Sequence, residues 1–89
     1  MREHEFSLGQ LCVTRRAARA FPRNFIVQCL VRHSNGDWGE LCSEDKIANE
    51  KSVIMGMQIL SAYTFQGSKL WIVTEWDNSA TTVLLPEEY

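Results

Sequence analysis

The densest run of chemically capable side chains is His33-Ser34-Asn35-Gly36-Asp37-Trp38-Gly39-Glu40. An imidazole that titrates near neutral pH, close to a carboxylate, has the parts of an acid–base pair. Gly36 and Gly39 let the backbone take positive φ and approach other groups closely. The competing expectation is a structural corner, in which Asp37 caps a turn, Trp38 plugs the core and His33 bonds a backbone carbonyl. Nearness in sequence does not supply catalytic geometry, so the corner is favoured. Cys29 and His33 lie four apart, which on a helix places them on one face. Asp37 or Cys42 would complete a conceivable zinc set, but the spacing fits no standard structural zinc pattern. There is no phosphate-cradling glycine loop, nucleophile elbow or His-Glu-x-x-His run. No catalytic residue, metal ligand or cofactor is therefore assigned, and His33, Asp37 and Trp38 stand as candidates for contact or structural roles.

A second set of candidates comes from charge. The formal net charge of −2 is unevenly divided. Residues 1–36 hold six Arg and two Glu, and residues 37–89 hold three Lys and nine acids. Between Phe6 and Gly36 stand Arg15, Arg16, Arg19, Arg23 and Arg32, with no acid among them. If the fold keeps the two parts apart, a basic face is available to phosphate or to an acidic protein. The plainer alternative is that these arginines solvate helices and pair with the acidic half. It is favoured because nucleic-acid-binding domains are usually basic overall. Arg15, Arg16 and Arg19 are the contact candidates of this group.

The elements that must position these residues can be read along the chain. Residues 7–14 favour a short strand through Leu8, Leu11, Val13 and Thr14. Thr14 can cap a helix from Arg15 to Phe21, stopped by Pro22. Pro22 is also suited to open the next helix. There Phe25, Ile26, Cys29, Leu30 and His33 form an apolar stripe over 23–33, although Ile26, Val27 and Val31 keep a strand in competition. Residues 34–37 signal a turn. Ser43 is a good N-cap for a third helix, with Glu44 and Asp45 favourable in its first turn. Ile47, Val53, Ile54 and Met57 would form its apolar face, and Gly56 would loosen its end. Residues 59–65, 69–76 and 81–85 are expected strands, separated by turns at 66–68 and 77–79. The order β-α-α-α-β-β-β, with a C-terminal three-stranded antiparallel meander packed by helices, is an α+β fold. Leu70, Ile72 and Thr74 alternate with Trp71, Val73 and Glu75, so both faces of the middle strand carry large groups. One face packs the helices. The other is expected to expose aromatics such as Trp71 and Trp76, unless the N-terminal segment or a second copy covers it, and exposed aromatics mark interfaces. A homodimer is one such arrangement. The tail 84–89 is expected to lie along the surface, and no role is assigned to it.

The chain has 89 residues, enough for one domain with one core and too few for an enclosed multi-layer active site. Three widely spaced cysteines (Cys12, Cys29, Cys42) make a poor disulfide framework. With no apolar run of membrane length and no secretory signal pattern, reduced thiols and a cytoplasmic setting are expected.

Two segments resemble a known family. One is His33-Ser34-Asn35-Gly36-Asp37-Trp38-Gly39 followed by Glu44-Asp45 and Asn49. The other runs through Ile59-Leu60-Ser61-Ala62-Tyr63, Leu70-Trp71-Ile72-Val73-Thr74-Glu75 and 79–89. Together they resemble a family of small bacterial proteins borne on plasmids and integrative elements, whose members carry labels such as "plasmid-related protein" or type I restriction subunit. The resemblance covers nearly the whole chain from Leu8, and implies a mobile-element setting more than a mechanism. In that family the region before the histidine is more helical, which supports a helix over 23–33. The chain departs from the pattern most at residues 15–28, where its arginines are unusual.

Three functions follow as expectations. The first is a non-enzymatic protein-binding accessory or anti-defence factor, docking on a host or element protein such as a defence nuclease. It predicts little effect of His33→Ala. The second is an RNA-cleaving toxin similar in element order to RelE, an analogy of fold alone, which a net charge of −2 opposes. The third is a nucleic-acid-binding regulator that uses the Arg15–Arg32 region. The first is preferred.

Overall fold

The computed structural model describes residues 7–89. The elements are β1 (Gln10–Val13), α1 (Arg15–Ala20), α2 (Arg23–Ser34), α3 (Ser43–Met55), β2 (Ile59–Phe65), β3 (Ser68–Thr74) and β4 (Ala80–Leu84), with a closing 3-10 turn at Pro86–Glu88. This is the expected α+β order. β2, β3 and β4 form the antiparallel meander. β1 then adds to β4 in parallel, giving a mixed sheet of order β1-β4-β3-β2. The chain leaves β1 at one edge, passes through all three helices and enters the sheet again at the opposite edge.

Local sequence accounts for most boundaries. Thr14 is extended and its side chain accepts from the Ala17 N–H, so it caps α1 as its residue type predicts. Pro22 stands between α1 and α2 and serves as the N-cap of the second helix. The stripe on α2 buries Ile26, Cys29 and His33, with Phe25 and Leu30 packed beside them. The expected strand at 69–76 is shorter, because Trp76 lies past the end of β3 with two-thirds of its surface exposed (66%).

Between the helices and the inner sheet face lies the core: Ala17, Phe21, Ile26, Cys29, Tyr63, Leu70, Ile72 and Val83. Full burial of a side chain such as Leu70 or Ile72 contributes roughly 1.5–3 kcal/mol. Phe21, Phe25 and Phe65 close one end, with the Phe25 and Phe65 ring centroids 4.8 Å apart.

Three expectations are corrected. The N-cap of α3 is Cys42, which makes no side-chain cap bond, and Ser43 is already helical. The apolar face expected on α3 points outward. Ile47 and Ile54 are exposed, whereas the buried positions of α3 are Asn49 and Ser52. The reason is that α3 packs against the edge strand β2, whose main chain needs polar partners. Asn49 Nδ2 donates to the Leu60 carbonyl and Asn49 Oδ1 accepts from the Leu60 N–H. Finally, the outer face around Trp71 is partly covered. The Tyr89 ring stands 5.6 Å from that of Trp71 and its hydroxyl donates to Gln58 Oε1. Val73 and Leu84 are buried there. The tail is thus a clip with a structural role, further held by Glu88, whose carboxylate accepts from Thr14 Oγ1 and the Leu85 N–H.

Candidate functional site: the His33 corner

α2 brings His33 under the centre of the sheet, and the turn after it carries Asp37, Trp38 and Gly39 around to the edge of β2. His33 has no exposed surface (0%). Its ring bonds side chains on two strands: Nδ1 lies 2.6 Å from Ser61 Oγ and Nε2 lies 2.9 Å from Thr74 Oγ1. Thr74 Oγ1 is 2.7 Å from Thr81 Oγ1, which is 2.7 Å from the Leu8 carbonyl oxygen.

Proton directions follow from the last member. A carbonyl only accepts, so Thr81 donates its single proton to Leu8. Thr74 must then donate to Thr81, and accepts in turn from His33 Nε2. Nε2 therefore carries the ring hydrogen, and Nδ1 accepts from Ser61. A one-way chain runs from β2 through α2 to β3, β4 and Leu8, two residues before β1. Burial pushes the imidazole down to about 4, so the ring is neutral at physiological pH.

Asp37 does not face His33. It is half-exposed and forms a two-point ion pair with Arg32, Nε to Oδ2 at 2.7 Å and Nη2 to Oδ1 at 3.2 Å. Its Oδ1 also accepts from the Gly39 N–H. The Arg32 guanidinium first, and that N–H as well, hold the carboxyl below the usual carboxylate range. Arg32 lies over the Tyr63 ring, 4.7 Å from its centroid, and the Tyr63 hydroxyl donates to the Asp37 carbonyl oxygen. Trp38 is buried edge-on to His33, and its indole N–H donates to Glu50 on α3. Gly39 bridges to Ala62 on β2 with φ +73°. A Cβ there would stand 1.9 Å from the Ala62 carbonyl oxygen, so only glycine fits.

The acid–base pair is thus not assembled, and the structural corner is. One detail of that corner differs from expectation, since His33 bonds hydroxyls where a backbone carbonyl was expected. Cys29 is buried on α2, and burial pushes its thiol up to about 11; Cys12 and Cys42 are exposed, and all three are free thiols. Among the described residues no three His, Cys, Asp or Glu side chains gather as a metal site.

The arginines are elsewhere. Arg16 pairs with Glu87 at 3.3 Å across exposed surface. Arg15, Arg19 and Arg23 make no ion pair among the described residues, so the expected pairing with the acidic half is only partial. Trp71 is half-buried beneath Tyr89, and Trp76 adjoins the end of α3. The candidates therefore divide into a buried corner, a basic helix and an aromatic region, which do not converge on one cleft.

Ser61, Thr74, Thr81, Asn49 and Glu50 complete this region and were not singled out from sequence. A signal for three of them exists. Ser61, Thr74 and Thr81 occupy inward strand positions, where a hydroxyl requires a polar partner, and His33 is the polar member of the α2 stripe. Comparison with protein-family models, with curated proteins and with solved structures gives no match. No described helix is long and apolar enough to cross a membrane.

Proposed function

We propose that the chain is a non-enzymatic protein-binding accessory factor of a bacterial mobile element, docking on a host or element protein such as a defence nuclease. The mobile-element setting rests on the resemblance of the His33–Gly39 and 59–89 segments to plasmid-borne proteins. The binding role rests on one contrast. His33, Cys29 and Trp38 are buried and the surface carboxylate of Asp37 is held by Arg32, whereas large apolar groups stand in solvent. Ile54, Met55, Met57 and Trp76 are 83%, 71%, 54% and 66% exposed. Three of them lie in the last turn of α3 and just past it, and the main chain of Trp76 passes close by, its carbonyl oxygen 3.7 Å from the Gly56 Cβ position. Met and Trp are favoured at recognition surfaces. The test is affinity capture from host lysate with and without nuclease treatment. A stoichiometric protein that survives nuclease is expected; recovery of nucleic acid alone would overturn the proposal.

A second function, nucleic-acid binding, is favoured by Arg15, Arg19 and Arg23, which make no ion pair among the described residues. It predicts binding to a short duplex that weakens steeply with salt.

A further inference from the structure

The two edges of the sheet are treated differently. On β2 the outward main chain is closed at Leu60 and Ala62. Asn49 takes both groups of Leu60, the Ala62 N–H donates to the Trp38 carbonyl, and the Glu40 N–H donates to the Ala62 carbonyl. Sealing of this kind is how proteins protect an edge from unwanted strand pairing. β1 has no such cover among the described residues, and all four of its residues are exposed.

The hydrogen bonds of β1 fix which groups are free. The Gln10 N–H donates to Ser79 and the Thr14 N–H to Val83, so even-numbered residues face β4. By alternation, the N–H and C=O of Leu11 and Val13 point away from the sheet. Their side chains lie on the helix side, where Leu11 is 53% and Val13 44% exposed. Beside them runs an apolar groove of about 390 Å³ lined by Val13, Ala18, Arg23, Ile26, Val27 and Leu30. Among the described residues, the one charged side chain that lines it is cationic. Arg23 lines it, Arg15 lies on the α1 face of Ala18, and residues 7–36 contain no acid.

We infer that β1 and this groove receive an extended acidic peptide segment of a partner protein, which adds to the sheet as a fifth strand. Main-chain bonds to Leu11 and Val13 would hold it, alternate apolar side chains would enter the groove, and its acids would meet Arg15 and Arg23. This site is separate from the apolar patch at the end of α3, and it rests on the protein-binding function proposed above. A second copy is disfavoured, because two-fold pairing of β1 would bring Arg15 and Arg23 of both copies together. Nucleic acid is disfavoured because an apolar groove offers a phosphate backbone nothing.

The experiment is a differential selection from a displayed random-octapeptide library. The baits are the wild-type chain and the Val27→Glu/Arg23→Glu variant, both changes being at exposed positions. Wild type is expected to enrich peptides that alternate apolar and acidic residues. A selected peptide should bind the variant roughly tenfold or more weakly and shift the amide resonances of Leu11, Val13 and Val27. Equal binding to both baits, enrichment without acids, amide shifts confined to α3, or no enrichment would each overturn the inference. So would a short DNA duplex that shifts the same amides more strongly than any selected peptide. The variant must keep the wild-type melting temperature. If selection fails while lysate capture yields a nuclease-resistant protein, the site is wrong and the binding function stands. If both fail, the function is wrong.

Discussion

At the scale of single residues, His33 decides how the corner is read, and its chemistry makes a pH prediction. Its folded value, about 4, lies below the ordinary 6.5. The unfolded chain therefore binds more protons between these values, and stability rises with pH across that window. The contribution of His33 is full above pH 6.5 and is lost as pH falls toward 4, by about 3 kcal/mol in all. Denaturant midpoints measured from pH 7 to pH 4 should fall, and the His33→Gln variant should flatten that slope. His33→Ala should cost on the order of 3 kcal/mol, since it leaves a cavity and removes the ring partner of the buried Ser61 and Thr74 hydroxyls. The expectation of little effect from His33→Ala bears on partner binding; for stability a loss is predicted. The Nε2–H tautomer can be checked by the nitrogen shifts of the ring. The histidine was legible as a candidate because a polar residue sat on an apolar stripe. Its partners were not, because they come from strands 28 and more residues away.

At the scale of elements, the corner is a latch that ties the α2–α3 connection to the β2 edge through Gly39. Gly39→Ala adds both φ strain and a clash with the Ala62 carbonyl. Gly67 shares a positive φ (+83°) but has nothing within 4 Å of its Cβ position. Gly67→Ala should therefore cost about 1 kcal/mol and Gly39→Ala about 3 kcal/mol or more. In thermal melts that is a drop on the order of 5 °C against 15 °C. Similar drops for the two would contradict the latch. The meander and the α2 stripe were legible in sequence, because strand alternation and helical periodicity are local signals. The face of α3 was not. Its apolar residues suggested an inward stripe, but a strand edge asks for hydrogen bonds, and Asn49 supplied them. The position of β1 was equally hidden, since parallel pairing with β4 joins residues some 70 apart in sequence.

At the scale of the whole molecule, two surfaces stand out. α1 and the start of α2 present Arg15 and Arg23, without ion pairs among the described residues, near an apolar groove, while the end of α3 presents Ile54, Met55 and Met57. Substitutions at such exposed positions should leave stability within about 0.5 kcal/mol of wild type. They separate binding from folding in a way that changes at His33 or Trp38 cannot. The most direct measurement is quantitative mass spectrometry of nuclease-treated affinity captures, comparing wild type with Val27→Glu/Arg23→Glu and with Ile54→Lys/Met55→Lys. The account predicts a stoichiometric protein partner on the wild type and its loss, by roughly tenfold or more, from at least one folded surface variant. Recovery of no protein, or a partner kept by both variants and lost only when Asp37 is replaced in a chain that still melts as wild type, would contradict it.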